Sequence, residues 1–191
     1  SWAEFTGEQL EQPIPSIKEL GSSYNAITLR YIMTAAGDGG EVEYYTVEEY
    51  YRVRYNSTIN RMSLLDYERD MTQVFRGEKR TVNKNKLLLG IRPEEVKYKA
   101  NEKGAVVAFI QEGELWSYNS DSHELFQIFS FRSAEGISDR ENNGQHEIRI
   151  MRMDEGGSMD FVVYGYMNRG SHEGRTGISV FHYDSVANTV E

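Results

Sequence analysis

The sequence predicts a mainly β protein built from antiparallel strands, and three features lead to this prediction. Apolar and polar residues alternate over several short runs, which is the period of a half-buried strand. The 13 Tyr and 8 Phe form a heavy aromatic content, and aromatic side chains favour strands. Residues 104–130 also resemble residues 158–190, and an internal repeat of this kind indicates a repeated structural unit.

Alternation places a first group of strands between residues 26 and 76. Thr46 and Glu49 fit a helix capping box, but the Tyr and Val residues around them favour a strand. A short polar triplet at 56–58 is expected to form a hairpin tip. The four strands expected in this group lie at residues 26–34, 43–55, 61–67 and near 71–76.

Two further groups of about four strands are expected at roughly 86–131 and 146–191. Residues 106–110 are apolar on both faces, which predicts an inner strand covered on both sides. In the last group, Ile148 and Ile150 share one face of a strand, and strict alternation assigns Met153 to the opposite face.

The segments outside these groups are polar or lack a sustained period. We expect residues 1–25 to form an arm or linker, with one helical turn near 16–20. Polar stretches at 77–86 and 133–145 are expected to connect the groups. The repeat domain would then span residues 26–191 and belong to a longer protein.

Glycine turns and aromatic strand ends mark the second and third groups in the same order. The marks are Gly104, Ala108, Phe109, Trp116, Tyr118 and Asn119 in the second group, and Gly157, Asp160, Phe161, Phe181, Tyr183 and Asp184 in the third. This order resembles the repeats of TolB-like and other WD40-type β-propeller proteins. The resemblance covers about half the chain and implies about three antiparallel four-stranded meanders in a partial propeller-like array.

An incomplete propeller poses a physical difficulty. Propellers typically contain about 4–8 blades, and an open stack of fewer leaves two apolar faces exposed, which is rare on soluble monomers. The sequence therefore leaves three arrangements open. The chain is a fragment of a larger propeller, or two copies pair as a homodimer that covers the open faces, or the fold is a β-sandwich.

Composition restricts the partners. The net charge of −9 predicts no nucleic-acid partner, because phosphate backbones attract basic surfaces. The chain has no cysteine, which excludes disulfides and thiolate metal sites. No apolar run approaches the roughly 20 residues that a membrane-spanning helix needs, so we expect no transmembrane segment. Absence of cysteine is compatible with the extracytoplasmic location that we expect, in a bacterial cell envelope or as a secreted protein.

A long polar loop at 168–175 contains the densest group of side chains with binding or catalytic potential. A histidine beside a carboxylate can act as a general base, and arginines can hold an anionic group. The loop is longer than a hairpin requires, although a solvated loop is the simpler interpretation. Its candidate ligand-binding residues are Asn168, Arg169, His172, Glu173 and Arg175.

Familiar motifs for catalysis and cofactors do not occur in the sequence. The four histidines lack zinc-binding spacing, and there is no P-loop, dinucleotide-binding glycine motif or nucleophile elbow. We therefore expect no metal and no cofactor. The leading hypothesis is a non-enzymatic binding module with a protein or carbohydrate ligand. The alternatives are a hydrolase acting on carbohydrate or peptide through the 168–175 loop, and a structural fragment of a larger propeller.

Overall fold

A computed structural model shows that the described part of the chain consists of antiparallel β-strands joined by turns. It describes residues 5–10, 12–13, 15–37, 39–77, 82–83, 86–90, 95–132 and 143–191. Over these ranges, no helix is long and apolar enough to cross a bilayer. The predicted fold class, a mainly β protein of antiparallel meanders, is confirmed. The expected connections at 77–86 and 133–145 lie partly outside the described residues.

The first of two compact units comprises Ser1–Val74 and Leu89–Glu94, and it contains one five-stranded sheet. Its strands are β1 (Glu8–Gln9), β2 (Ser16–Leu20), β3 (Asn25–Ala36), β4 (Val42–Asn56) and β5 (Arg61–Gln73). β3, β4 and β5 form a meander, and β1 and β2 both pair with the outer edge of β3.

Two local predictions for this unit were wrong. The helical turn expected near 16–20 is the strand β2, whose backbone pairs with β3. The separate strands expected at 61–67 and 71–76 are one strand, β5, because its backbone pairs along β4 almost without interruption. The strands expected at 26–34 and 43–55 are confirmed as β3 and β4.

Aromatic and aliphatic side chains on one face of this sheet form the core of the first unit. Its buried members are Tyr31, Tyr45, Val47 and Met71. Phe5 packs against them, with its ring 5.1 Å from that of Tyr45 in an edge-to-face arrangement. β4 and β5 extend past the first residue of β3 and form a two-stranded ribbon that ends in the turn at 57–60. The side chains of β5 are exposed from Arg61 to Asp70.

The second unit comprises Phe75–Leu88 and Glu95–Glu191, and it contains two four-stranded meanders and a small hairpin. The hairpin pairs β6 (Val82–Asn83) with β7 (Lys86–Leu87). The strands of the middle sheet are β8 (Tyr98–Ala100), β9 (Val106–Gln111), β10 (Glu114–Asn119) and β11 (Glu124–Phe129). Those of the C-terminal sheet are β12 (His146–Met153), β13 (Met159–Tyr166), β14 (Thr176–Asp184) and β15 (Thr189–Val190). Within each sheet the strands lie side by side in chain order.

The middle and C-terminal sheets pack against each other around one core. Its buried members are Ala108, Leu115, Ile128, Phe131, Ile148, Met159, Phe161, Val163, Met167 and Tyr183. The first strands, β8 and β12, lie next to each other, as do the last strands, β11 and β15. At the first pair, Lys99 Nζ donates a hydrogen bond to the Met151 carbonyl oxygen over 2.6 Å. The two sheets are therefore stacked with their strands in matching order.

The inner strands of the middle sheet are covered on both faces. Ala108 and Phe109 are consecutive in β9, point to opposite faces and are 0% and 1% exposed. In β10, Leu115 packs into the core between the sheets. On the opposite face, Trp116 packs against Phe75 with ring centroids 5.2 Å apart. The predicted inner strand at 106–110 is confirmed.

A β-bulge in β12 corrects one predicted orientation. The pairing with β13 shifts between Ile150 and Arg152, so Met151 is an extra residue in the ladder. Met153 therefore lies on the same face as Ile150 and packs against the core. The prediction that Met153 faces the opposite way was wrong, because strict alternation does not hold across a bulge.

The β10–β11 and β14–β15 turns close with matching hydrogen bonds. The Tyr118 hydroxyl lies 3.3 Å from Nδ1 of His123, five residues later. Tyr183 likewise donates a hydrogen bond of 3.0 Å to Oδ1 of Asn188, again five residues later. His123 and Asn188 have φ angles of 57° and 53°, in the left-handed region that a tight turn requires. The two sheets thus end their third strands in the same way.

Polar side chains also correspond, both at these turns and at the turns between the first two strands of each sheet. Asn119 and Asp184 each use Oδ1 to accept hydrogen bonds from the backbone N–H groups two and three residues later. At the β8–β9 and β12–β13 turns, Oδ1 of Asn101 and of Asp154 accepts from a backbone N–H near the start of the next strand. These bonds fix the first and the last of the three turns of each meander, since an Asx side chain substitutes for a backbone acceptor.

Candidate interaction face

The C-terminal sheet has an outer face, which points away from the middle sheet. Met159, Phe161 and Val163 of β13 are buried in the core, so the alternate residues of this strand point outward. The register of the sheet arranges the outward residues in three rows that cross the strands. These rows are Glu147, Tyr164 and Ile178; Arg149, Val162 and Val180; and Arg152, Asp160 and His182.

The centre of the outer face is aliphatic and exposed. Ile178 and Val180 of β14 are 73% and 71% exposed, and Val180 lies directly opposite the half-buried Val162. An antiparallel sheet with one solvated face normally alternates apolar and polar residues along each strand. β14 is instead apolar on both faces, because Phe181 and Tyr183 pack into the core. Such a strand is typical of a sheet that is covered on both sides.

A charged row borders the aliphatic centre at one end. Asp160 accepts hydrogen bonds from Nδ1 of His182 over 2.7 Å and from Nε of Arg152. Since a carboxylate only accepts, Nδ1 of His182 carries the proton in this bond. The bonds from His182 and Arg152 hold the pKa of Asp160 below its ordinary value. Asp160 is therefore ionised at neutral pH and does not serve as a proton donor.

A second charged group borders the opposite end of the outer face. The Tyr164 hydroxyl donates a hydrogen bond of 2.8 Å to Oε2 of Glu147, and Lys97 Nζ donates to the same oxygen over 3.3 Å. These contacts, with Tyr164 the larger influence, lower the pKa of Glu147. The outer face therefore has an aliphatic centre between two polar borders, and each border contains an ionised carboxylate.

The loop at 168–175 separates its predicted site residues. Asn168 is 1% exposed, and its Nδ2 donates a hydrogen bond of 2.8 Å to the carbonyl oxygen of Asn143. The other four candidates, Arg169, His172, Glu173 and Arg175, are exposed. The loop closes on itself, because the Met167 N–H donates to the Arg175 carbonyl oxygen over 2.9 Å. Asn168 thus anchors the loop, and binding of a ligand by the exposed four remains a prediction.

A single buried carboxylate, surrounded by hydrogen-bond donors, is a further polar feature of the first unit. Glu49 is 5% exposed and accepts hydrogen bonds from Tyr51 at 2.9 Å, Tyr67 at 2.8 Å and Arg69 at 2.7 Å. Arg69 also donates to the Tyr31 hydroxyl at 3.1 Å. Burial alone would raise the pKa of Glu49, but the three donors outweigh burial and lower it below 4.5. With three donors in place, this carboxylate stabilises the sheet and is not exposed to a ligand.

Local sequence patterns pointed to the loop and missed the outer face. The signal for the outer face was present in β14, where Ile178 and Val180 face one side while Phe181 and Tyr183 face the other. It had the same form as the two-sided apolar pattern of 106–110, which correctly predicted a covered strand.

Glu48 and Glu49 are adjacent in β4 and lie on opposite faces of the sheet, as expected for neighbours in a strand. Glu48 is exposed and Glu49 is buried.

Comparison of the chain with models of known protein families, with curated proteins and with solved structures finds no match in any of the three. The described ranges also contain no group of three or more His, Asp or Glu side chains placed to hold a metal ion. Function is therefore inferred from the residues and their geometry.

Proposed function

We propose that this protein is a non-enzymatic interaction module that binds a protein partner through the outer face. The observation that carries this proposal is the exposure of Ile178 and Val180 at the centre of a sheet bordered by charged residues. Apolar surface with a polar rim is typical of protein–protein sites. A protein partner is favoured over a carbohydrate because the centre of the face is aliphatic and Phe161 and Phe181 pack into the core.

The proposed architecture is a set of repeated propeller-type meanders. Its support is the matching turns, in which Tyr118 and Tyr183 bond to residues five positions later, and the stacking of β8 on β12 and of β11 on β15. A radial array of meanders brings successive first strands together near its centre and successive last strands together at its rim. We place the module in a bacterial cell envelope or among secreted proteins, a location compatible with the absence of cysteine.

Site-specific cross-linking in cells tests this function. The chain has no cysteine, so Val180→Cys carries one thiol at the centre of the outer face. Val186→Cys is the matched control, since Val186 is 94% exposed and lies in the β14–β15 turn outside the outer face. After treatment of cells with a thiol-reactive photo-cross-linker, we expect discrete protein adducts from Val180→Cys and none from Val186→Cys. Equal labelling of the two variants, or no adduct from either, would contradict the proposal.

A hydrolase with its site in the 168–175 loop is the competing function, because the structure leaves His172 and Glu173 exposed between two arginines. Turnover of carbohydrate or peptide substrates by the wild type, abolished in His172→Ala/Glu173→Ala, would favour the hydrolase. The same double substitution can be combined with Val180→Cys. Retention of the Val180→Cys adducts in that chain would show that the loop is not needed for the interaction.

A further inference from the structure

The outer face occupies the same position in its sheet as a face that is completely covered in the middle sheet. Phe109 pairs with Trp116 in the middle sheet as Phe161 pairs with Phe181 in the C-terminal sheet. On this correspondence, Val180 of the outer face is equivalent to Leu115. Leu115 is 0% exposed because the C-terminal sheet packs against it, whereas Val180 is 71% exposed. The natural neighbour of the outer face is therefore another β-sheet.

Charge on the outer face differs from that of the whole chain. The chain carries a net charge of −9, so two copies repel each other on average. The charged side chains of the outer face balance when its borders are included. The cations are Arg149, Arg152 and Lys97, which bonds to Glu147, and the carboxylates are Glu147, Asp160 and Glu191, which continues the row of His182. Two copies can therefore approach through this face without the repulsion expected elsewhere.

The charged row is also self-complementary across a two-fold axis. Beyond His182 the row continues to Glu191, since the backbones of these residues exchange two hydrogen bonds of 2.9 Å. The order across the sheet is thus Arg152, Asp160, His182 and Glu191. A two-fold axis that runs between β13 and β14, parallel to the strands, reverses this order in the second copy. Arg152 then faces Glu191 of the second copy, and Asp160 faces His182 of the second copy.

The same axis matches the aliphatic rows. Val162 faces Val180 of the second copy, and Tyr164 faces Ile178 of the second copy, because each pair occupies adjacent strands in one row. A contact of this kind is isologous, which is the usual arrangement in soluble homo-oligomers. We propose that the partner of the outer face is a second copy of this chain, bound about a two-fold axis between β13 and β14. This proposal rests on the proposed function, since it identifies the protein partner of the same face.

Analytical ultracentrifugation of the purified chain tests this pairing. We expect a wild-type dimer, and we expect Val180→Asp to weaken dimerisation roughly tenfold or more, because it buries an unpaired charge. Val186→Asp adds the same charge outside the face and should leave the dimer intact. Arg152→Glu should also weaken the dimer, and the charge exchange Arg152→Glu/Glu191→Arg should restore it. Circular dichroism of each variant confirms that the sheets are retained.

Cross-linking supplies a test that does not depend on a destabilising substitution. Val180→Cys with a short bismaleimide should give a product of twice the chain mass, and Val186→Cys should not. A wild-type chain that stays monomeric at about 0.5 mM would overturn the pairing, as would failure of the charge exchange to restore a dimer weakened by Arg152→Glu. Val180 adducts in cells whose mass differs from twice the chain would also overturn it, while leaving the proposed interaction function in place.

Discussion

Replacing Phe161 by alanine should lower the free energy of unfolding of the second unit by about 3–5 kcal/mol, the usual cost of deleting a buried aromatic ring. Phe161 is 0% exposed and lies in the core between the middle and C-terminal sheets. Its ring stacks on Phe181 at a centroid distance of 5.2 Å and meets Phe129 edge-on at 5.7 Å. The substitution removes both ring contacts and leaves a cavity that the paired strands around it cannot close.

Urea denaturation followed by tryptophan fluorescence measures this effect. The chain has two tryptophans, so a Trp2→Phe background leaves Trp116 of the second unit as the reporter. Val186→Ala is the control, because Val186 is 94% exposed and its loss should change the stability by less than about 0.5 kcal/mol. A Phe161→Ala loss no larger than that of the control would mean that the two sheets do not pack through this residue.

Replacing Glu49 by glutamine should destabilise the first unit by about 3 kcal/mol, at the lower end of the cost of breaking a buried ion pair. Glutamine keeps the shape of the side chain but removes the charge that Arg69, Tyr51 and Tyr67 are placed to bind. The lower end is expected because the Arg69 side chain is 38% exposed, so water stabilises it after the charge is lost. Glu48→Gln, at the exposed neighbouring position, should change the stability by less than about 0.5 kcal/mol.

The Glu49 contribution should also depend on pH, with a sign that follows from its lowered pKa. The folded protein binds the Glu49 proton less tightly than the unfolded chain does. The carboxylate therefore contributes its full stability above pH 4.5, and this contribution is lost as the pH falls through the lowered pKa. Unfolding free energies of wild type and Glu49→Gln, measured between about pH 2.5 and 7, should converge as the pH falls. A difference between the two that stays constant over this range would show that Glu49 does not titrate as described.

Most strands of this protein could be predicted because their side chains alternate locally. The strands expected at 26–34 and 43–55, for example, lie at Asn25–Ala36 and Val42–Asn56. β2 was missed because all five of its residues are exposed, so it has no buried apolar face that would indicate a strand. Its extended conformation is held by backbone pairing with β3. The orientation of Met153 was missed because a bulge inserts one residue without a mark in the sequence.

The candidate site was harder to predict than the fold. Polar residues of the 168–175 loop are adjacent in sequence, which made them conspicuous, but the fold buries Asn168 and exposes the others. The outer face draws its residues from three strands, such as Arg152, Asp160 and His182, which are neighbours only through the sheet register. A face of this kind becomes visible only when the pairing of the strands is known.

The covering of β10 on both faces has a consequence for the order in which the second unit opens. Its backbone pairs with β9 along one edge and with β11 along the other, and five of its six residues are buried. Amide protons in such a strand reach solvent only when the whole unit opens. In deuterated water, the amides of residues 115–118 should therefore be among the last of this unit to exchange, and their rates should report its global unfolding.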